Sequence, residues 1–409
     1  MSESKRLKNI ALVIGSGITP RRDNKNYWEG GVIPWLKTEQ LGEKNIYDTN
    51  EKITKFALDD TSIKIFPVNT LSMAMYGEGR TRGNVSILKK EMATNQACCN
   101  IVLDKDKADY ENVYYYLITQ YEQLRSLSSG VRKNLNSNDI KEFEIKLPSL
   151  STQQKIAAVL SALDTKIELN QRINAELESM AKTLYDYWFV QFDFPNEKGK
   201  PYKSAGGEMV WNEALKREIP LGWDIQKLNS IFDFQKGIEP GSAEYRSAPI
   251  SSDYIKFFRV GDVDGNTEIY VDATNRDFTI VAERDVVVTF DASVGKTAFG
   301  LNGAISGGFR KIYDRKGKFD NALVYFIFKD ERILATIHKY ATGSILLHAS
   351  GSIKHLLIVF DEDIVIQFQV FVKPVFDKMV LNRIESQTLT KLRDWLLPML
   401  MNGQVGVTG

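Results

Sequence analysis

An α+β chain, built as two similar α/β domains separated by a pair of long antiparallel helices with a pseudo-two-fold internal repeat, is predicted by three observations. The first is that the sequence says nearly the same thing twice. Gly130 and Gly343 stand 213 residues apart, as do Ile140 and Ile353, and Ser129-Gly130-Val131, Leu135 and Ile140-Lys141 return as Thr342-Gly343-Ser344, Leu347 and Ile353-Lys354. The second is that each copy is strand-rich, with short apolar runs bounded by turn residues. The third is that each copy runs on into a long stretch of heptad spacing. A unit duplicated within one chain gains an internal two-fold, which suits a target with two halves.

The front domain, residues 1–150, opens with Gly17-Ile18-Thr19-Pro20, which returns as Gly237-Ile238-Glu239-Pro240 at an offset of 220; Ile33-Pro34-Trp35-Leu36 returns as Ile255-Lys256-Phe257-Phe258 at 222. The drift of offset marks small loop insertions. Ser62–Val68, Asp285–Phe290 and Leu323–Phe328 have the β-branched and aromatic content of strands. Turn signals separate such runs at Tyr76-Gly77-Glu78-Gly79, Leu301-Asn302-Gly303 and Ser306-Gly307-Gly308. A helical stretch over Glu111–Leu127 has a counterpart over Asn321–Tyr340.

After Leu147-Pro148-Ser149-Leu150 the period changes, and Ser151 or Thr152 can cap a helix over 151–190. Ile156, Leu160, Leu163, Ile167, Asn170, Asn174, Leu177, Ala181, Leu184 and Trp188 alternate four and three apart, a heptad seam of about 50 Å. A shift of 212 gives Phe368, Val372, Val375, Met379, Asn382, Ser386, Leu389, Arg393, Leu396 and Leu400 in a second helix over 367–402. Arg393 weakens that seam, and Pro374 and Pro398 are expected to kink or trim it. Antiparallel pairing about the midpoints sets Asn170 near Ser386 and Asn174 near Asn382, a polar middle that penalises slipped registers. Residues 191–222, with Pro195, Pro201, Pro220 and several glycines, read as an extended connector into the second domain, 223–366.

With 409 residues, 43% hydrophobic and 26% charged, the chain fits two folded domains. No run of eighteen apolar residues and no apolar stretch at the N-terminus occur, so the expected location is the cytoplasm, with no membrane contact. Cys98 and Cys99 are adjacent, a spacing that suits reduced thiols rather than a disulfide. Net charge is +1, so local clusters must decide whether nucleic acid is a partner. Candidate DNA-contacting cations are Arg21, Arg22 and Lys25; Arg80, Arg82 and Lys89; Arg132 and Lys133; and, in the second domain, Arg259, Lys296, Arg310, Lys311, Arg315 and Lys316. The bland reading of any one cluster is a solvated loop, and their occurrence in both halves favours the other.

Catalytic equipment is not visible. Asp291-Ala292-Ser293-Val294-Gly295-Lys296-Thr297 resembles the tail of a phosphate-binding loop but has Phe290 where that motif needs glycine. Gly77-Glu78-Gly79-Arg80-Thr81-Arg82-Gly83 misses the dinucleotide spacing by one residue. The three histidines, His338, His348 and His355, have no cysteine or carboxylate at ligand spacing, so no metal site is expected.

The helix from Leu147-Pro148-Ser149-Leu150-Ser151-Thr152-Gln153-Gln154-Lys155-Ile156 through Leu163-Asp164-Thr165-Lys166-Ile167-Glu168-Leu169-Asn170-Gln171 resembles the central conserved helix of type I restriction-modification specificity subunits. Phe192-Asp193-Phe194-Pro195, Gly199-Lys200-Pro201-Tyr202, Gly206-Gly207-Glu208-Met209-Val210-Trp211 and Ile219-Pro220-Leu221-Gly222-Trp223 resemble that family's linker into its second recognition domain. The resemblance implies a non-catalytic DNA-recognition subunit. Each α/β domain would be a target-recognition domain reading one half of a bipartite duplex target, and the helices would act as spacer and dock two methyltransferase subunits. S-adenosylmethionine, ATP and Mg would belong to partner subunits, which can include restriction subunits, and this chain would hold no cofactor. A tandem protein- or carbohydrate-binding module on a coiled coil is the competing reading, and it predicts no salt-dependent DNA binding.

Overall fold

Short alternating runs fold the front half into strands β1 (Glu3–Arg6), β2 (Ala11–Ser16), β3 (Ile33–Leu36), β4 (Asn45–Ile46), β5 (Glu51–Ile53), β6 (Leu71–Ala74), β7 (Val85–Leu88), β8 (Ala93–Thr94), β9 (Cys98–Leu103) and β10 (Glu144–Leu147). Helices α1 (Leu7–Ile10), α2 (Lys55–Asp60), α3 (Tyr110–Thr119), α4 (Tyr121–Ser126) and α5 (Ser137–Glu142) intervene, and the long α6 (Leu150–Tyr185) follows, closing on a π-helical turn at Asp186–Val190. The computed structural model describes residues 3–77, 81–127, 134–343 and 347–407. Two units result: Met1–Lys166 with Leu389–Gly409, and Ile167–Thr388.

In the first unit β1 runs antiparallel to β10. One sheet has the order β2-β9-β6-β7-β4 and a smaller one the order β5-β3-β8. After α6 the second unit forms the hairpin β11 (Met209–Asn212) and β12 (Arg217–Pro220). It then continues through β13 (Asp224–Lys227), α7 (Leu228–Ile231), β14 (Asp233–Lys236), β15 (Tyr254–Phe258), β16 (Tyr270–Asp272), β17 (Ile280–Val281), β18 (Val286–Thr289), β19 (Thr297–Ala298), β20 (Gly303–Ile305) and β21 (Phe309–Tyr313). The helices α8 (Asn321–Ile327) and α9 (Glu331–Lys339), the strand β22 (Leu357–Phe360) and the long α10 (Glu362–Met401) complete it.

The repeat in sequence is a repeat in pairing. β13 pairs β22 as β1 pairs β10; β14-β21-β18-β19 reproduces β2-β9-β6-β7; and β16-β15-β20 reproduces β5-β3-β8 with the same parallel pair at its centre, β15 with β20 and β3 with β8. Among the described strands, β4, β17 and the hairpin strands β11 and β12 lack a counterpart. In each unit the larger sheet packs on the paired short helices and on long-helix residues. Leu71, Ile101, Tyr115 and Leu117 meet Ile156, Leu160 and Leu400 in one, and Val286, Phe290 and Phe326 meet Phe368 and Phe376 in the other.

The recurring Gly-Ile is explained by close approach. A side chain at Gly17 would overlap the carbonyl oxygen of Thr94 in β8, and one at Gly237 the carbonyl oxygen of Ser306 just past β20. The following isoleucine in each case donates its N–H to that neighbouring strand, Ile18 to Thr94 at 2.9 Å and Ile238 to Ile305 at 3.0 Å. Backbone is what lies in the way, so it must move. Gly17→Ala is expected to lower stability by about 3 kcal/mol, whereas Gly15→Ala, which meets open space, is expected to leave it within about 0.5 kcal/mol. Equal denaturant midpoints for the two variants would refute the argument.

Four sequence expectations are corrected. Leu323–Ile327 lies in helix α8, with Phe328 at its C-cap, rather than in a strand: Asp320 caps the helix by accepting from the Ala322 N–H at 2.8 Å, and every residue of the run is buried, which hides helical periodicity. Ser62–Val68 forms no strand beyond a bridge of Phe66 to Met92; Pro67 has no N–H to give, and Asn69 turns the chain at φ 68°. The connector is folded rather than merely extended, since it forms the β11–β12 hairpin and buries Phe192, Phe194 and Ile219 in the second unit's core. Leu347 is not the counterpart of Leu135. Leu135 donates its N–H to the Met75 carbonyl after β6, and the residue that does the same after β18 is Ala349, to Phe290.

Along the long helices, α10 is helical through Pro374 and ends just past Pro398. In the second unit the Asn382 amide donates to the Asn174 side-chain oxygen at 2.8 Å, and the Asn174 amide donates to the Met379 backbone carbonyl at 2.9 Å. Asn170 donates to the Asn382 carbonyl and to Glu385, while Ser386 also donates to the Asn382 carbonyl. Asn170 and Asn382 are fully buried, not at a solvent edge. Met379 and Ile167 are buried beside them, and Leu177 and Val375 are half-buried against the same core. In the first unit Leu163 and Leu389 are half-buried, and Arg393, which reads in sequence as a flaw of the seam, is paired with Asp164 at 2.9 Å.

Candidate nucleic-acid interface

In each unit three loop positions border the small sheet: the residue after Gly-Ile, the residue after the central strand, and the loop that leads from β8 into β9 or from β20 into β21. In the first unit the Thr19 hydroxyl donates to the Gln96 side-chain oxygen, and Lys37 follows β3. Lys37 pairs with Glu51 at 2.6 Å and Glu39 at 2.7 Å, and these two hydrogen bonds hold its pKa above the usual lysine value. Arg22 lies 4.0 Å from the Trp28 ring centre and 4.8 Å from that of Trp35, and it also binds Glu51. The Arg22 bond is the largest of the influences that keep the Glu51 carboxyl below its ordinary range. Trp28 meets Trp35 edge-on at 5.0 Å.

In the second unit the same places hold different groups. Glu239 stands where Thr19 stands, Tyr245 packs on Phe257 at 5.5 Å as Trp28 packs on Trp35, and Arg259 follows β15 as Lys37 follows β3. Tyr245 donates its hydroxyl to Glu239 at 2.7 Å, and the Gly307 N–H donates to the other Glu239 oxygen at 3.3 Å. Burial and then the bond to Glu239 push the Tyr245 hydroxyl up to about 12. Arg259 caps a short turn with Asp262, its Nε 3.3 Å from the carboxylate.

A second repeated feature precedes β7 and β19. Gly83 (φ 90°) and Gly295 (φ 85°) both need the left-handed conformation, and both lie against the following helix, where an added Cβ would come 3.3 Å from Tyr121 of α4 or 3.2 Å from Leu334 of α9. Arg82 and Lys296 flank these glycines.

The other predicted cations are placed unequally. Lys296 and Lys316 are exposed, and their ammonium groups have no partner among the described residues. Arg21 and Lys25 are exposed with only surface pairs, to Asp23 at 3.0 Å and Glu29 at 3.5 Å, which cost little to exchange for a phosphate. Arg315 is exposed and grips Asp233 with both ends of its fork. Lys89 stacks on Tyr110 at 5.1 Å, and Lys311 pairs with Asp285 at 2.7 Å. Arg310 is buried and spends its guanidinium on the Gly307 and Phe309 carbonyls and the Ser350 hydroxyl, so it supports the Gly307 loop from within rather than facing a ligand. Arg80, Arg132 and Lys133 lie outside the described residues.

Lys37 was missed in sequence although a signal existed, since the offset of 222 that relates β3 to β15 sets it opposite Arg259. Among the described residues no three His, Cys, Asp or Glu side chains gather as a metal site requires, and no helix is long and apolar enough to cross a membrane. Cys98 and Cys99 are buried free thiols, each pushed up to about 12 by burial.

The family model for the type I restriction modification DNA specificity domain matches residues 2–179. The type I restriction enzyme MjaIX specificity subunit of Methanocaldococcus jannaschii is 30% identical over 418 aligned residues, covering 98% of this chain and 93% of that one. The HindI specificity subunit of Haemophilus influenzae is 22% identical over 344 residues, covering 70% and 74%. In fold, the crystal structure of the S subunit of a type I restriction-modification system from M. genitalium superposes with a TM-score of 0.57 at 18% identity, over 98% of this chain and 96% of that one.

Proposed function

The chain belongs to the type I restriction-modification specificity family, and from that premise we propose that it is the DNA-recognition subunit of a multisubunit methyltransferase or restriction complex, each α/β unit reading one half of a bipartite target. The observation that carries this is the repeated site: one scaffold, built twice with the same strand pairings, presents Thr19, Gln96 and Lys37 in one copy and Glu239, Gly307 and Arg259 in the other, with Tyr245 holding Glu239. The same frame with different hydrogen-bonding groups is what two different half-targets require.

The chain is a specificity subunit and not itself the enzyme. Methyl transfer, and the S-adenosylmethionine, ATP and Mg that the complex uses, belong to partners in this reading. The long helices serve as spacer and docking surface, and their exposed apolar residues support two like partners. Leu169 (44% exposed) and Met180 (68%) on α6 lie eleven residues apart, on one face, and recur 212 residues later as Leu381 (61%) and Leu392 (41%) on α10. Two equivalent patches fit two copies of one methyltransferase subunit, with restriction subunits joining as a further layer.

Titration of the assembled complex with duplex DNA tests the reading. Affinity is expected to fall roughly a thousandfold between about 50 and 200 mM salt for a footprint of six or more phosphates, and native mass measurement is expected to find two methyltransferase copies per chain. Salt-independent or absent DNA binding would favour a tandem protein- or carbohydrate-binding module instead.

A further inference from the structure

We propose that Glu239 reads a cytosine in the second half-target, and that the Thr19–Gln96 pair occupies the equivalent reading position for the first; this rests on the DNA-recognition reading above. The position is displayed by an over-determined backbone. Gly237 is locked under the Ser306 carbonyl, Ile238 is bonded to Ile305, and Pro240 behind is buried, so Glu239 has little freedom beyond its own rotamers. The frame Gly-Ile-X-Pro is common to both units and only X changes class, a hydroxyl in one and a carboxylate in the other.

The Glu239 carboxylate is exposed, yet held. Tyr245 donates to one oxygen and the Gly307 N–H to the other, which orients the group and leaves each oxygen a further lone pair. An acceptor-only group of negative charge is repelled by phosphates, so in a DNA interface it gains only where a base offers an amino group. The major-groove edge of cytosine offers N4 alone, whereas the N6 of adenine stands beside the N7 acceptor, which repels a carboxylate. Lys236, which borders Gly307 at the end of β14, and Arg259, whose charge acts on the Tyr245 hydroxyl, supply cations near the reader. In the first unit the Thr19 hydroxyl occupies the Gln96 oxygen, which orients that amide toward its N–H donors.

The test uses the assembled complex carrying Glu239→Gln and duplex libraries randomised in the second half-target, with Gln96→Ala as the matching change in the first. Glutamine keeps the shape; its oxygen can still accept from the Gly307 N–H while its NH2 donates to the Tyr245 hydroxyl oxygen, and its second N–H can donate to a base, as adenine recognition requires. The expected result is a loss of cytosine preference of roughly tenfold or more at one position of the second half-target, with adenine gaining and the first half-target unchanged; Gln96→Ala is expected to alter the first alone. Unchanged preference at wild-type affinity would overturn the proposal, and so would uniform weakening on all sequences, which would make Glu239 a scaffold residue. Thermal unfolding of each variant within a degree or two of wild type is the expected companion result, because both side chains are on the surface; a collapse in unfolding temperature would assign the residues to stability and overturn it as well. If the wild-type complex showed no bipartite preference, the underlying reading would fail rather than this assignment of its residues.

Discussion

Replacing Asp164 by alanine is expected to destabilise the first unit by about 3 to 5 kcal/mol, the range for breaking a buried ion pair from one side. Asp164 sits on α6 with its side chain only 13% exposed, and accepts from Arg393 of α10 at 2.9 Å, from Lys44 at 3.1 Å, and from the Tyr115 hydroxyl of α3. One carboxylate thus ties the recognition domain to both long helices. Without it Lys44 keeps the Tyr115 hydroxyl at 2.7 Å and, as its one carboxylate partner, Glu111 at 3.6 Å, and Arg393 keeps Asp394 at 2.7 Å. About 3 kcal/mol corresponds to roughly 6 to 12 °C in a unit of this size, so calorimetry of the purified chain should resolve it, and an unchanged transition would sink the argument.

The acid limb of stability carries the same signature. Burial pushes the Asp164 carboxyl upward, but the hydrogen bonds from Tyr115 and Arg393 and the charges of Lys44 and Arg393 outweigh it and hold the group below its ordinary range. A depressed folded-state pKa binds fewer protons in the folded chain than in the unfolded one. The stability it contributes is therefore fully present above the unfolded value of about 3.9 and lost as pH falls through the lower folded value. The gap between wild type and Asp164→Ala should stay constant from neutrality to about pH 5 and close below about pH 4.

How far the sequence reveals such features depends on whether their cause is local. The Gly-Ile-X-Pro frame was legible because a steric demand fixes the residue type wherever the backbone recurs. The polar middle of the helix pair was legible because amides at heptad positions have few other uses. Arg393 reads as a defect because its partner lies 229 residues away, and no periodicity reports a pairing across that distance. Leu323–Phe328 misleads for a different reason: a run buried on all sides carries no period at all. The candidate cations were legible as charges, but not as free or spent. Lys311 and Lys316 look alike in sequence, and only the fold shows one held by Asp285 and the other open to solvent.

Exchanging residues 1–146 for the front half of another family member is expected to replace one half-target completely while leaving the other unchanged. The cut falls within β10, so nearly all of the β1–β10 pair travels with the graft, together with Thr19, Lys37 and Gln96. Ile156, Leu160 and Asp164 remain and must accept the incoming helix, which makes a tyrosine at the place of Tyr115 the condition for a stable graft. Charge removal should behave in the opposite way. Lys296→Ala and Lys316→Ala leave the base readers in place, so affinity should fall on all sequences alike and the salt slope should drop by about one for each lost phosphate contact. Methylation-site sequencing separates the two outcomes, since the graft changes which sites are modified and the neutralised lysines change only how many. A graft that altered both half-targets would refute independent readers, and a lysine variant that altered the recognised sequence would move that side chain from the phosphates to the bases.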